Sequence, residues 1–345
     1  MIKPVLILAD DLTGALDSSV GFADGLRRVV VARSPEAVSD ALEQKPDVLA
    51  INTGSREGAE ARAVSQVEAA LAQLDLGAFG VIFKKVDSRL KGHVAVETGV
   101  LAMAARRARH VACPAIPDMG RIVLDGALCG GGVALPIPVA EAFAGSVTVP
   151  DAATNADLDA LVRGELNDTL WIGARGLSFA LARAMGVFSP RAARPDGPIL
   201  IVNGSRDPIT VAQIEALTGL VPVLHAPGGV TPDAITETGS SALSISEGAG
   251  LVDGEQAARR LAEGAARLAR QVRPASIILC GGESAQACLD QLDVNSLRVM
   301  AEVQPGLPLF EAQMPWGPVQ FVTKSGGFGV RTSLVDIVTD TKEWR

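Results

Sequence analysis

The chain has 345 residues, 48% of them hydrophobic, and carries a formal net charge of −8. That length suffices for two domains with separate cores, and no basic stripe indicates binding to nucleic acid. Aromatic residues make up only 3% of the chain and tyrosine is absent, which argues against a base-stacking platform. No apolar stretch is long enough to span a membrane, and the N-terminus lacks the features of a signal peptide. We therefore expect a cytoplasmic protein whose partners include neither nucleic acid nor membrane.

The cysteines and histidines are too scattered to suggest a metal centre. The four cysteines show no CxxC spacing, and the three histidines are isolated from one another. We expect buried, reduced thiols and no zinc site. The sequence identifies no set of ligands for any other metal.

Short β-branched runs alternate with helical patterns through the first half of the chain. Two helical patterns, over 12–26 and 60–74, place apolar residues on one face. Continuous apolar runs are typical of buried parallel strands, and their alternation with helices predicts helices on both faces of the sheet. The predicted strands are PVLILAD (4–10), RRVVVA (27–32), DVLAINTG (47–54), GVIFKKVDS (80–88) and HVACPA (110–115).

A proline-rich segment, SPRAARPDGP at 189–198, interrupts this pattern. Its composition is typical of an interdomain linker. The alternation then restarts, with a long helical pattern over 253–272. We predict an α/β fold of two domains, 1–190 and 198–345, each with a largely parallel sheet flanked by helices. The predicted strands of the second domain are PILIVNGS (198–205), VPVLHAP (221–227), SALSIS (241–246), ASIILCGGES (275–284), LRVMAEV (297–303) and VQFVTKSGGFG (319–329).

Polar side chains follow three predicted strands of the first domain. Parallel α/β sheets bind ligands beyond the carboxyl ends of their strands, so these residues are candidates for a site. Arg and Lys suit a carboxylate or phosphate, and Asp can bind a hydroxyl or take its proton. A small anionic, hydroxylated ligand fits this mixture, whereas simple helix capping is the structural alternative for the aspartates. The residues are Asp10, Asp11, Thr13, Asn52, Thr53, Ser55, Arg56, Lys84, Lys85, Asp87, Ser88, Arg89 and Lys91.

Glycine-rich segments follow three predicted strands of the second domain, at 202–208, 280–284 and 324–329. Glycine lets backbone N–H groups approach phosphate oxygens, helped by the N-terminus of a following helix. Each cluster alone is typical of a plain turn, but together they indicate a phosphate-binding rim. The chain has no Gly-Lys dipeptide, and therefore no P-loop. Leu12 stands where the DxDxT loop of aspartyl-phosphate phosphatases needs a second aspartate.

These segments together resemble the four-carbon acid sugar kinase family, whose members phosphorylate threonate, erythronate or 3-oxo-tetronate with ATP. The resemblance runs through most of the chain. The matching segments are ADDLTGALD (9–17), NTGSR (52–56), KKVDSRLKG (84–92), CPAIPDMGR (113–121), NGSRDPITVAQIEAL (203–217), GGES (281–284) and KSGGFG (324–329).

The resemblance implies that the first domain binds the sugar acid and the second binds ATP. Family members usually read DSTLRGN where this chain has DSRLKGH at 87–93, so the identity of the acid stays open. The implied substrate contacts are Asp10, Asp11, Arg56, Lys85, Val86, Asp87 and Ser88. The implied ATP contacts are Ser205, Gly281, Gly282, Glu283, Ser284, Gly326 and Gly327.

We therefore predict an ATP-dependent kinase that phosphorylates a hydroxyl of a four-carbon sugar acid by in-line transfer in a cleft between the two domains. Mg²⁺ is expected on the ATP phosphates, and Asp11 or Asp87 is expected to act as the base. Two alternatives stay open: a non-catalytic sensor of ATP and sugar acid, and a phosphatase or isomerase acting on phosphorylated sugar acids. The sequence leaves the oligomeric state open, with a homodimer as one option.

Overall fold

The computed structural model describes residues 3–232, 239–248 and 253–339. The chain forms two compact units, Met1–Arg191 and Ala192–Arg345. The start of the first predicted domain range, the end of the second and two segments inside the second lie outside the described residues. Within the described residues, no helix is both long enough and apolar enough to cross a bilayer.

The main sheet of the first unit is entirely parallel, in the order β2-β3-β1-β4-β9-β5. Its strands are buried almost throughout because helices cover the sheet. All five predicted strands are present, and β9 is a further strand that the sequence pattern missed. The strands are β1 (Val5–Ala9), β2 (Val29–Ala32), β3 (Val48–Asn52), β4 (Val81–Lys85), β5 (Arg109–Cys113) and β9 (Thr169–Gly173).

Helices follow most of these strands, as the alternation predicts. In α3 the buried face consists of Ala63, Val67 and Ala70, at the expected helical spacing. The helices are α1 (Leu12–Ser19), α2 (Val38–Glu43), α3 (Glu60–Leu71), α4 (Val94–Ala105), α5 (Val139–Ala142), α6 (Asn155–Leu161) and α7 (Arg175–Ala184).

The first predicted helix, over 12–26, is too long. Helix α1 ends at Ser19, a short 3-10 turn follows, and Leu26 is 91% exposed rather than on a buried face. The Asp24 carboxylate accepts hydrogen bonds from the backbone N–H groups of Leu26 and Arg27. This side-chain turn competes with helical hydrogen bonding and redirects the chain.

The first unit also contains a small antiparallel sheet that the sequence analysis did not predict. It consists of β6 (Arg121–Leu124), β7 (Ala127–Gly130) and β8 (Ile137–Pro138), in that order. The β6–β7 turn holds Asp125 and Gly126 with φ of +50° and +73°, as tight hairpin turns require. The Asp151 carboxylate accepts hydrogen bonds from both turn N–H groups.

The second unit has a mixed sheet in the order β11-β12-β10-β13-β16-β15-β14. The first five strands are parallel, and β16, β15 and β14 form an antiparallel meander. Strand β15 was not predicted, although apolar residues alternate through it. The strands are β10 (Ile199–Asn203), β11 (Val223–Pro227), β12 (Ser241–Ser246), β13 (Ser276–Cys280), β14 (Ser296–Gln304), β15 (Leu307–Met314) and β16 (Gly317–Lys324).

The helices of the second unit each bury an apolar face. The helix predicted over 253–272 is α9, whose buried face includes Ala258, Leu261, Ala265 and Leu268. The described helices are α8 (Pro208–Ala216), α9 (Gly254–Val272), α10 (Gly282–Gln291) and α11 (Ser333–Thr339).

Candidate active site

The register of the first sheet brings the polar strand ends of the first unit together. Ala9, the last residue of β1, lies beside Asn52 of β3 on one side and Lys85 of β4 on the other. The chain segments that follow these three strands therefore leave the sheet at the same level. This places the Asp10–Asp11 pair between the segments that carry Arg56 and Asp87.

Arg56 is the partner of the aspartate pair. Its Nε and Nη2 donate to the two carboxylate oxygens of Asp10 at 2.9 and 2.8 Å. Its Nη1 donates to Asp11 Oδ2 at 2.8 Å, and Nη1 lies 3.8 Å from Asp87 Oδ2. One guanidinium thus binds Asp10 in bidentate fashion and holds Asp11 and Asp87 nearby.

The pKa values of the two adjacent aspartates are shifted in opposite directions. Burial disfavours ionisation of Asp10, but hydrogen bonds from Arg56 and the charges of Lys84 and Lys85 outweigh it, so the pKa of Asp10 is lowered. Burial raises the pKa of Asp11, and the opposing charges of Arg56 and Lys85 do not cancel that effect. Asp10 is 2% exposed whereas Asp11 keeps 28% of its side chain exposed. Asp10 is therefore a fixed anion, and Asp11 is the more basic and more accessible carboxylate.

Asp11 is also the N-cap of α1, accepting a hydrogen bond from Gly14 N at 2.8 Å. A Cβ at Gly14 would overlap the Asp11 carboxylate and lie 2.9 Å from Lys85 Nζ. The glycine therefore lets the Lys85 ammonium approach the start of α1. Asp11 combines capping with contact to the site: its Oδ1 accepts from Gly14 N and lies 2.8 Å from Arg56 Nη2, while its Oδ2 accepts from Arg56 Nη1.

Two adjacent lysines of β4 point to different environments, as side chains alternate along a strand. Lys85 Nζ donates to Val86 O at 2.8 Å, on the side of Asp11. Lys84 Nζ instead forms a buried ion pair with Glu97 of α4 at 2.7 Å. Lys84, one of the strand-end candidates, is therefore paired inside the fold, although its charge still lowers the pKa of Asp10.

The segment 86–92 forms a tight loop beside the aspartates. Asp87 Oδ1 accepts hydrogen bonds from the N–H groups of Arg89 and Lys91 at 2.9 and 3.4 Å. Leu90 and Gly92 have φ of +58° and +86°. A Cβ at Gly92 would lie 3.4 Å from Asp10 Oδ2, so glycine permits the close approach. The Val86 side chain is fully buried, which leaves only its backbone for a ligand.

Arg121, at the start of β6, reaches the same loop. Its Nη1 donates to Ser88 Oγ at 2.5 Å, and its Nε and Nη2 donate to Gly131 O at 3.0 and 2.7 Å. The sequence analysis quoted this arginine in CPAIPDMGR but assigned it no role. The signal that could have found it is a lone arginine between two glycine-rich turns.

The three glycine-rich segments of the second unit also converge. A Cβ at Gly281 would lie 3.3 Å from Ser205 N, and one at Gly326 would lie 2.5 Å from Ser205 Oγ. A Cβ at Gly327 would lie 3.4 Å from Asp207 Oδ2. Ser205 is thus the point where the ends of β10, β13 and β16 meet. Side chains at these glycines would fill the space around it.

Helix α10 begins within this cluster. Gly281, with φ of +98°, is its N-cap, and no side chain caps the helix. Gly282, Glu283 and Ser284 form the first turn; Gly282 and Glu283 are exposed, and Ser284 is buried. A Cβ at Gly204 would overlap the Ser284 side chain. An uncapped helix N-terminus with exposed glycine is suited to bind a phosphate group.

Lys324 stabilises the glycine-rich loop at 324–329 by hydrogen bonds to its backbone. Its Nζ donates to Thr210 Oγ1 at 2.7 Å and to the carbonyl oxygens of Ser325 and Gly326 at 3.1 and 3.3 Å. Burial lowers the pKa of this amine, against the attraction of Asp207. Lys324 therefore orders the backbone of the loop that carries Gly326 and Gly327.

The described residues contain no cluster of three or more His, Cys, Asp or Glu side chains arranged to hold a metal ion. In the first unit the Arg56 guanidinium fills the space among the three aspartates. This arrangement does not suit a cation held by these carboxylates alone.

Comparisons with known proteins match the two parts of the chain to different family models. A family model described as a sugar-binding N-terminal domain matches residues 5–142, and one described as a nucleotide-binding C-terminal domain matches residues 225–334. A crystal structure of a Haemophilus influenzae protein has the same fold, with a TM-score of 0.73 at 18% identity; the match covers 96% of this chain and 98% of that one.

Two curated relatives align along nearly their whole length. The 3-oxo-tetronate kinase of Methylobacterium radiotolerans is 26% identical, over 93% of this chain and 95% of its own. The D-threonate kinase of Bordetella bronchiseptica is 30% identical, over 98% of both chains. With that identity across almost the full length, the chain belongs to the four-carbon acid sugar kinase family.

Proposed function

We propose that the protein is an ATP-dependent kinase that phosphorylates a hydroxyl of a four-carbon sugar acid, with Asp11 as the base. The observation that carries the proposal is the split acidity of the aspartate pair. Two carboxylates whose surroundings separate their pKa values are typical of a site that needs one fixed anion and one proton acceptor. The names of the curated relatives supply the class of substrate.

In this mechanism Asp10 stays ionised and keeps Arg56 in place. Asp11 accepts the proton of the substrate hydroxyl while the hydroxyl oxygen bonds to the γ-phosphorus of ATP. The bond from that phosphorus to the β,γ-bridging oxygen breaks, and ADP leaves with the bonding electrons. Lys85, beside Asp11, offsets negative charge at the reacting hydroxyl. Asp87 is the second candidate base. Loop N–H groups bond one of its oxygens, and both oxygens of Asp11 are bonded as well, so the preference for Asp11 rests on its raised pKa.

We propose that the second unit binds ATP at its glycine-rich rim. The N–H groups of the first turn of α10 and the segments around Ser205 and Gly326 would contact phosphate oxygens. In-line transfer between a ligand of one unit and a ligand of the other stays a prediction. We propose that Mg²⁺ arrives on the ATP phosphates, where it neutralises their charge, since the described carboxylates provide no cage for it.

The test is turnover of Asp11→Asn with a panel of four-carbon acids, including D-threonate and D-erythronate, at saturating ATP and Mg²⁺. Asparagine caps a helix about as well as aspartate but cannot accept the proton. We expect kcat to fall by roughly 100-fold or more, the loss of general-base help. Asp87→Asn should reduce kcat less. Wild-type kcat should also fall as the pH drops through the raised pKa of Asp11.

Other outcomes would favour the alternatives. Wild-type protein that binds both ligands without making ADP would support a sensor. Release of inorganic phosphate from a phosphorylated acid, without ATP, would support a phosphatase. Near-normal kcat in a folded Asp11→Asn variant would exclude Asp11 as the base.

A further inference from the structure

Arg121 is a buried cation without an anionic partner. It is 8% exposed, and within the described residues no carboxylate forms an ion pair with it. Its hydrogen bonds go to the neutral acceptors Gly131 O and Ser88 Oγ. A buried guanidinium costs folding free energy unless an anion compensates it. The charge is therefore retained at a cost that a bound anion would offset.

The surroundings of Arg121 disfavour its positive charge. Burial lowers the pKa of the guanidinium, and the nearby charge of Arg89 lowers it further, against the weaker attraction of Asp87. Arg89 is exposed at the edge of the loop, and no described carboxylate forms an ion pair with it either. Arg121 thus contacts Ser88 with a second arginine charge nearby, and neither arginine is ion-paired within the described residues.

The β6–β7 hairpin is shaped to hold Arg121 there. A Cβ at Gly130 would overlap Gly120 O, and one at Gly131 would overlap Met119 O. Only glycine allows the two segments to approach so closely, which places Gly131 O within reach of the Arg121 fork. The run Gly130–Gly132 therefore serves to orient this guanidinium.

The positive charge of Arg56, by contrast, is already compensated by carboxylates. Its fork is occupied by Asp10 and Asp11, and Asp87 lies 3.8 Å away. The predicted role of Arg56 as the clamp for the substrate carboxylate would require it to leave these aspartates. Ser88, which bonds Arg121, adjoins Asp87 in the loop, so the unpaired cation lies next to the candidate site.

We infer that Arg121, with Ser88 and Arg89, binds the carboxylate of the sugar acid, whereas Arg56 organises the aspartates. This inference rests on the proposed function and assigns the residue that makes the enzyme select an acid over a neutral polyol. Gly131 O and Ser88 Oγ accept from three of the five Arg121 N–H groups and preset the orientation of the guanidinium. The remaining N–H groups, one on Nη1 and one on Nη2, suit a carboxylate.

The test compares D-threonate with D-threitol, in which a hydroxymethyl group replaces the carboxylate, in wild type and Arg121→Gln. If the panel identifies another acid, that acid and its polyol replace this pair. We expect Arg121→Gln to lower kcat/KM for the acid by roughly 10- to 100-fold, the loss of a charge-assisted hydrogen bond. Turnover of the polyol and the KM for ATP should change little, so the acid-to-polyol ratio collapses. Arg62→Gln, on the exposed side of α3, is the matched control and should keep the ratio.

Arg121→Lys keeps the charge and guards against loss of fold; it should retain part of the acid preference. Calorimetric titration of D-threonate without ATP gives a second readout, in which Arg121→Gln should lose affinity. An unchanged acid-to-polyol ratio in folded Arg121→Gln, or an equal loss for both substrates, would overturn the inference. A wild-type protein that phosphorylates no four-carbon acid would instead defeat the proposed function.

Discussion

At the scale of single residues, Asp10 and Asp11 have different environments although they are neighbours in the chain. Asp10 is buried and accepts two hydrogen bonds from Arg56, whereas part of the Asp11 side chain is exposed to solvent. Like charges this close are costly, and one shared guanidinium compensates both. The two carboxylates differ in proton affinity, so the pair is not equivalent to two independent helix caps.

This difference predicts opposite effects on stability. The lowered pKa of Asp10 means that its ionised form stabilises the fold above the ordinary value of 3.8, and that this contribution is lost as the pH falls through the folded pKa. The raised pKa of Asp11 means that its neutral form is the one the fold favours, and that this contribution is lost as the pH rises through the folded pKa. Ionised Asp11 therefore weakens the fold at neutral pH.

We accordingly expect Asp10→Asn to reduce the free energy of unfolding at pH 7 by about 1–3 kcal/mol, and Asp11→Asn to leave it unchanged or raise it. The deficit of Asp10→Asn should shrink as the pH falls below 3.8 toward the lowered pKa of folded Asp10, because the carboxyl of the unfolded chain becomes protonated first. Thermal melts from pH 3 to 7 measure this, with Asp40→Asn on the exposed side of α2 as the control. Equal losses of unfolding free energy in Asp10→Asn and Asp11→Asn would show that the two carboxylates do not differ in pKa as described.

At the scale of elements, the sites lie where backbone geometry makes room for them. Gly92 lets the 86–92 loop approach Asp10, and Gly281 and Gly326 let two loops meet at Ser205. In the second unit the first turn of α10 has no capping side chain. The element that would bind phosphate is therefore the start of a helix rather than a set of charged side chains.

This predicts that Gly282→Val lowers the affinity for ADP by roughly 10- to 100-fold, the equivalent of one or two hydrogen bonds to a charged group. The branched side chain would block the approach of phosphate to the first-turn N–H groups. Gly254→Val is the matched control, because Gly254 also begins a helix and its added Cβ would meet nothing within 4 Å. Unchanged ADP affinity in folded Gly282→Val would remove α10 from the nucleotide site.

At the scale of the whole molecule, each unit contains one of the two candidate sites. Every described residue of the aspartate site lies in Met1–Arg191, and every residue of the glycine-rich rim lies in Ala192–Arg345. Each ligand should therefore stabilise its own unit, since a ligand lowers the free energy of the folded form that binds it.

Hydrogen exchange mapping should reveal this division. D-threonate alone is expected to slow exchange of amides in the 86–92 loop and at the start of α1. ADP alone is expected to slow exchange in the first turn of α10 and around Ser205. The change should be about 100-fold at a ligand concentration of 100 times Kd. ADP protection confined to the 86–92 loop would contradict the assignment of ligands to units.

The sequence alone was sufficient for the features that depend on local pattern. Apolar β-branched runs followed by helical spacing predicted β1 to β5 and the strands of the second unit other than β15. The same reading placed the polar and glycine-rich segments at strand ends, because residues directly after a buried strand must leave the sheet. It missed β9, whose apolar run is only Leu170–Ile172, and it missed β15 and the β6–β8 sheet, whose alternating or short strands give a weaker pattern than a continuous apolar run.

Only the tertiary structure decided which of these residues are partners. Arg56 meets Asp10 across 46 positions because β3 lies beside β1 in the sheet. Lys84 pairs with Glu97 inside the fold while Lys85 faces the site, since α4 covers one side of β4. Arg121 reaches Ser88 through a hairpin that no periodic pattern announced. Strand order and loop approach are long-range properties, and the charges they bring together, or leave unpaired, determine the chemistry of the site.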